Sequence, residues 1–202
     1  MGYTAIVDYG VGNLKSIANA MSYLGLATQV TGEAGALERA DAVILPGVGA
    51  FPDAAKKLRQ TGLDQTILAQ AGKKPILGIC LGMQLLFDRG EEGESCPGLG
   101  HIGGSVTKIQ TALKLPHIGW NTLTFPRESP LFRGLEEGSA VYFVHSYAAQ
   151  VEKESDLLAF TDYGGPVTAA VGRDGIYGCQ FHPEKSGEVG LAILRNFGEL
   201  SK

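Results

Sequence analysis

The sequence predicts an α/β fold: a doubly wound, mostly parallel central sheet with helices on both faces and antiparallel strand additions in its second half. Three observations carry that prediction. Short apolar runs rich in β-branched residues alternate with amphipathic segments through the first 87 residues, as parallel strands buried on both faces require. Glycine-rich turns stand where those runs end. After Phe87 the rhythm changes to short alternating runs separated by turn residues.

Residues 4–8 read as a buried first strand. Asn13 is placed to cap a helix whose apolar positions Leu14, Ile17, Ala18, Met21 and Leu24 follow the 3.6-residue period, with Gly25 as its stop. Between them, Gly10-x-Gly12 has the start of a dinucleotide loop, but Lys15 occupies the place of the third glycine, so the segment reads as a tight turn. A short strand near Gln29–Thr31 and a buried one over Asp41–Leu45 follow, the second running into Pro46-Gly47-Val48-Gly49. Residues 52–71 read as helical with a break near Thr61-Gly62. The next strand ends at Cys80 and passes into a helix marked by Leu81, Leu85 and Leu86, and Arg89–Gly100 reads as a loop.

Strands are then expected over Ser105–Ile109, Trp120–Phe125, Ala140–Tyr147, Leu157–Asp162, Val167–Val171 and Ile176–Phe181, with a hairpin turn at Gly172-Arg173-Asp174-Gly175. A final helix, capped by Ser186, presents Val189, Ala192, Ile193, Phe197 and Leu200 on one face.

A chain of 202 residues fits one domain spanning 1–202, large enough to bury roughly 70% of the surface of its unfolded form without disulfides. With 17 basic and 21 acidic residues, a formal charge of −4, it lacks the basic excess of a general nucleic-acid binder. The opening Met1–Ile6 has neither the basic region nor the apolar stretch of a secretory signal, and no run approaches the ~20 apolar residues of a membrane span. Cys80, Cys96 and Cys179 form neither an even framework nor a C-x-x-C pair, which suits reduced thiols in the cytoplasm. No His/Cys cluster has metal-ligand spacing, and no cofactor is expected.

The chemistry centres on Gly78-Ile79-Cys80-Leu81-Gly82. A nucleophile flanked at both second neighbours by glycine, between an apolar run and a helical one, is the pattern of a strand-to-helix elbow, here with cysteine in the serine position. A cysteine nucleophile needs a base, and the base an orienting group. Of His101, His117, His145 and His182, only the last sits in a compact acid–base unit, Gln180-Phe181-His182-Pro183-Glu184. In an extended chain His182 and Glu184 face the same way, and Pro183 keeps a helix from separating them. The turn at Pro46–Gly49 lies where such folds place an oxyanion donor. Cys80 at a helix start beside His182 is the kind of setting that lowers a thiol pKa from ~8.5 into the 3.5–7.5 range.

Gly78-Ile-Cys80-Leu-Gly82-Met-Gln84, Phe181-His182-Pro-Glu184 and Pro46-Gly-Val-Gly49 together resemble the signatures of the class I, triad-type glutamine amidotransferases. The resemblance implies a flavodoxin-like fold and glutamine hydrolysis. Cys80 is then the nucleophile, His182 its base, Glu184 the orienting acid, and Val48, Gly49 and Leu81 the oxyanion hole. It also implies glutamine held by Gln84 and Glu92, with backbone help at Ser146 and Tyr147.

Asp8–Ser16, Pro116–Asn121, Tyr142–Tyr147 and His182–Ser186 narrow the likeness. They resemble the branch that forms a heterodimer with the (β/α)8 cyclase subunit of imidazole glycerol phosphate synthase in histidine biosynthesis. Asn13, Trp120 and Lys185 match positions that face that partner. The alternatives are a glutaminase serving another synthase, such as that of anthranilate or pyridoxal phosphate, a cysteine peptidase or γ-glutamyl hydrolase, and a non-catalytic scaffold. One departure stands out: many class I relatives carry Gly-Gly where this chain has Val48 between Gly47 and Gly49. A β-branched residue turns its peptide less freely, so the free protein is expected to have an unformed oxyanion hole.

Overall fold

A computed structural model describes residues 2–201. Strands β1 (Thr4–Val7), β2 (Thr28–Thr31), β3 (Ala42–Leu45) and β4 (Ile76–Ile79) pair in parallel. Helices α1 (Leu14–Tyr23), α2 (Ala34–Arg39), α3 (Phe51–Gln60) and α4 (Leu63–Gln70) connect them. The apolar runs split by period two: Ala5, Val7, Val43, Leu45 and Ile76 join one buried layer with Leu37, Leu58 and Ile67. Ile6, Ile44, Leu77 and Ile79 join the other, with Ile17 and Met21 of α1 and Ile193 and Phe197 of the last helix.

After the one-turn helix α5 (Leu81–Gln84) come β5 (Phe87–Gly90), β6 (Cys96–Pro97) and β7 (Ile102–Lys108), then β8 (His117–Thr122), β9 (Ala140–His145) and β10 (Tyr147–Val151). The strands β11 (Leu157–Asp162), β12 (Pro166–Arg173) and β13 (Ile176–Cys179) precede the closing helix α6 (Gly187–Glu199). The central sheet has seven strands in the order β11-β12-β13-β4-β3-β1-β2. β13 inserts parallel to β4, with Cys179 opposite Ile79, while β12 and β11 add antiparallel. The β12–β13 hairpin turns where expected, with Asp174 and Gly175 both at positive φ.

The remaining strands do not extend that sheet. They form a four-stranded sheet, β10-β7-β5-β6, and the separate ribbon β8-β9. The region expected as a loop over Arg89–Gly100 thus contains β6 and the end of β5, and the helix expected to run on through Leu86 stops after one turn. Tertiary hydrogen bonds explain both. The Leu85 carbonyl accepts from Leu99, the Leu86 carbonyl from His101 and Ile102, and the Phe87 carbonyl from Gly100, so the chain is claimed by neighbouring backbone before a second helical turn forms. Helix α2 was not expected from the sequence. Its C-terminal carbonyls at Leu37 and Glu38 are held by Lys74 Nζ at 3.0 and 2.7 Å, a support 36 residues away along the chain.

Two expected caps are also corrected. Asn13 occupies the N-cap position of α1 but makes no side-chain hydrogen bond to it. Ser186 precedes α6 without capping it; its buried hydroxyl donates to the His182 carbonyl at 2.7 Å and accepts from the Tyr142 N–H at 3.0 Å, tying β9 to the turn after β13.

Candidate active site

The site forms at the carboxyl ends of three adjacent parallel strands, β3, β4 and β13, where open α/β sheets place their ligands. Cys80 follows β4 at φ 54° and ψ −114°, a conformation that side-chain-bearing residues rarely adopt. The flanking glycines make it possible. A Cβ on Gly78 would lie 2.6 Å from the Gly82 carbonyl oxygen, and one on Gly82 would lie 1.8 Å from the Leu45 carbonyl oxygen. The elbow is therefore wedged between its own helix and the end of β3, with the thiol facing a cavity of about 420 Å³.

His182 enters the same cavity from the end of β13, its backbone N–H bonded to the Tyr142 carbonyl at 3.0 Å. Its Nδ1 lies 2.8 Å from Glu184 Oε1, and both side chains are almost wholly buried. The sequence argument reached this pair by a different route. The link is not extended: Pro183 opens a 3-10 turn over Pro183–Lys185, and a proline is well suited to that first position because its missing N–H has no partner to lose. The turn, not a strand, brings the two side chains together. Burial acts against charge on His182, but hydrogen bonding and negative charge at Cys80 and Glu184 outweigh it and raise its pKa to about 9. That environment favours the imidazolium form, which can hand a proton to a departing amine.

Val48, Gly49, Leu81, Gln84, Glu92, Ser146 and Tyr147 all line this cavity, with Pro116, Val144, His145 and Lys185. Gln84 is buried, its Nε2 donating to the Tyr147 carbonyl at 3.0 Å and to Gln180 Oε1 at 2.9 Å. Glu92 is held by the Phe51 N–H, which donates to its Oε2 at 2.8 Å, whereas the neighbouring Glu91 pairs with Arg89 on the surface. Trp120 stands on β8 with 59% of its surface exposed, edge-on to Tyr142 across the ribbon, and Lys185 Nζ lies 6.0 Å from the centroid of that same Tyr142 ring. Asn13 lies at the start of α1, outside the cavity lining.

Sequence reasoning passed over two features of the site. Gln180, fully buried, places Nε2 at 3.8 Å from Cys80 Sγ; it belongs to the Gln180–Glu184 unit, and the register Cys179 opposite Ile79 sets it beside Cys80. His117 and His145, set aside as lone histidines, form a buried pair. His117 Nδ1 is 3.1 Å from His145 Nε2, and His145 Nδ1 is 2.9 Å from the Tyr147 carbonyl. Burial lowers the pKa of His145 to about 4 against the raising effect of that carbonyl. A larger cleft of about 680 Å³ between Phe125 and Leu135 contains no cysteine or histidine and lies away from this chemistry.

A cysteine on a strained elbow, a histidine bonded to a buried carboxylate, and a glycine-rich turn at the same cavity are the parts a cysteine-dependent amide hydrolase needs. The chain belongs to the class I glutamine amidotransferases: the family model "Glutamine amidotransferase class-I" matches residues 5–199. It is 49% identical over 197 residues to "Imidazole glycerol phosphate synthase subunit HisH" of Oceanobacillus iheyensis, covering 97% of this chain and 98% of the relative. To the protein of that name from Caldanaerobacter subterraneus it is 46% identical over 198 residues, covering 98% of each. Among solved structures, "Structure of PurLQS from Thermotoga maritima" superposes with a TM-score of 0.80 at 21% identity, covering 100% of this chain and 99% of that one, and "Crystal structure of glutamine amidotransferase" with a TM-score of 0.78 at 20% identity. These last two bear on the fold, which agrees with the α/β class and mostly parallel sheet expected.

Proposed function

We propose that the chain is the glutaminase subunit of an imidazole glycerol phosphate synthase. It hydrolyses L-glutamine to glutamate and passes ammonia to a cyclase subunit, in the cytoplasm, as one half of a heterodimer. The observation that carries the reading is the convergence of Cys80 and the His182–Glu184 pair on one cavity in a chain nearly half identical, end to end, to two subunits of that name. No described helix is long and apolar enough to cross a membrane.

Cys80 attacks the side-chain carbonyl carbon of glutamine while His182 protonates the leaving ammonia. Water then resolves the thioester, with His182 taking its proton. Glu184 keeps the imidazole charged and aimed. The backbone N–H of Leu81, at the start of α5, and one from Val48 or Gly49 hold the oxyanion; losing such a donor costs roughly 10²–10³ in turnover. Gln84 has both N–H groups engaged, which leaves its Oε1 free to accept from the substrate's ammonium, and Glu92 supplies a negative charge at the cavity wall.

Asn13, Trp120 and Lys185 face the cyclase. An exposed tryptophan flanked by the exposed Ile118 is the sort of anchor that a partner pocket takes up. Val48, itself 43% exposed on the cavity rim, limits the turning of the oxyanion peptide, so docking and ligand binding at the cyclase complete the hole.

A glutaminase assay of the chain alone and with the cyclase subunit and its nucleotide substrate tests this. Ammonia production that rises sharply on adding both supports the reading. Equal rates in the two conditions remove the activation step, and ammonia production surviving Cys80→Ala removes the mechanism.

A further inference from the structure

One fully buried polar side chain, packed behind the cavity-lining Gln84 and Cys80, has no part in the scheme above. Gln180 lies with Oε1 2.9 Å from Gln84 Nε2 and Nε2 3.8 Å from Cys80 Sγ. The two ends of a carboxamide exchange by rotation about its last bond, and partners decide which end lies where. Here the decision starts from a group that cannot be exchanged. The Tyr147 carbonyl only accepts, so Gln84 must present its NH₂ to it. The second N–H of that nitrogen meets Gln180, which must answer with oxygen. The nitrogen of Gln180 is then left facing the sulfur.

A second series of hydrogen bonds ends on the same carbonyl. His145 Nδ1 can only donate to Tyr147, so its neutral Nε2 accepts from His117 Nδ1, and His117 Nε2 accepts from Asn121 Nδ2 at 3.3 Å. Every donor from Asn121 to Tyr147 and from Gln84 to Cys80 has one permitted direction.

We infer that Gln180 is a catalytic residue: a hydrogen-bond donor to the Cys80 sulfur, locked in its donating orientation by the Tyr147–Gln84 chain. A sulfur that receives an N–H is favoured as thiolate. The sulfur carries an electron pair twice in the cycle. In the first half its pair forms the S–C bond as the C–N bond breaks and His182 protonates ammonia. In the second half water adds to the same carbon, the S–C bond breaks, and the pair returns to sulfur as His182 takes the water's proton. Gln180 meets the sulfur at the start of the first step and the end of the second. His182 is therefore not the sole group that stabilises the thiolate.

The inference rests on Cys80 being the nucleophile, and alkylation by iodoacetamide reads its thiolate without glutamine turnover, which separates the two questions. The test is the pH midpoint of Cys80 alkylation in the full chain, carrying Cys96→Ser to silence the partly exposed thiol; Cys179 is fully buried. Gln180→Met, close in volume but without a donor, is expected to raise the midpoint by about one pH unit, a tenfold loss of thiolate below it. Gln180→Glu keeps the acceptor for Gln84 but faces the sulfur with an anion, and is expected to raise it further. An unchanged midpoint in both folded variants overturns the inference. Should either variant fail to fold, the unmutated chain decides: the Gln180 side-chain amide resonances are expected to titrate with Cys80 and to move on its alkylation. Resonances indifferent to both overturn it.

Discussion

Glu184 reaches His182 across a single 3-10 turn, Oε1 to Nδ1 at 2.8 Å, while its other carboxylate oxygen lies buried without a hydrogen-bond partner. The acid is committed to one contact. Glu184→Gln keeps the shape but removes the charge that favours the imidazolium, and is expected to lower glutamine turnover by up to about 10⁴-fold, the scale found when a triad carboxylate is neutralised. Steady-state ammonia release in the presence of the cyclase measures it. A loss below tenfold would mean that the turn merely positions the ring.

The raised pKa of His182 gives stability a pH dependence of definite sign. A folded value of about 9 against an ordinary 6.5 means that the native state holds the proton more tightly. Its stabilisation is complete below pH 6.5 and fades as pH climbs to 9. The urea midpoint is expected to fall across that window, and to fall less in Cys80→Ser, which removes one of the groups that raise the pKa.

His145 works in the opposite sense. Burial holds it neutral with a pKa of about 4, so the unfolded chain binds its proton first, and stability is lost as pH drops from 6.5 to 4. The loss amounts to roughly 3 kcal/mol by pH 4. His117, lowered in the same way by burial, adds to it. Thermal unfolding of His145→Gln is expected to show a shallower decline over that range; an identical slope would remove His145 as the source.

Trp120 separates binding from folding. Its ring is largely exposed, so Trp120→Ala is expected to change the stability of the free chain by no more than about 0.5 kcal/mol. Loss of an interface anchor costs about 2 kcal/mol or more, some thirtyfold in Kd for the cyclase. Titration calorimetry with the cyclase and a melting curve of the free chain read the two effects independently. Equal affinity for both proteins would exclude Trp120 from the interface.

The two ends of the oxyanion turn differ in how they tolerate a methyl group. A Cβ on Gly47 would lie 2.7 Å from the Gly82 nitrogen, so this end is clamped to the elbow. Gly49, at φ +98°, has open space around it. Gly47→Ala is expected to cost both stability and activity. Gly49→Ala is expected to lose about 1–2 kcal/mol to left-handed strain alone, with the cavity intact by glutamine-protected alkylation of Cys80.

Much of the fold was legible because parallel strands buried on both faces leave unbroken apolar runs, and the elbow glycines leave a signature of fixed spacing. What escaped the sequence depends on distant backbone. Helix α2 is finished by Lys74, and the helix after Cys80 is cut short by carbonyls promised to residues 99–102. The His182–Glu184 pair was found for a reason that does not hold, since spacing of two also suits a 3-10 turn. Gln180 was passed over because its role exists only where β4 and β13 lie side by side.

That pairing has a consequence for the order in which the molecule becomes itself. The strands that lead into Cys80 and His182 are neighbours in the sheet but a hundred residues apart in translation. Until β13 leaves the ribosome, β4 is the raw border of a half-built sheet, and the cysteine has no base, no acid and no hydrogen-bonded amide beside it. The segment that brings His182 to the cysteine also pairs with the open side of β4, so both happen in the same event.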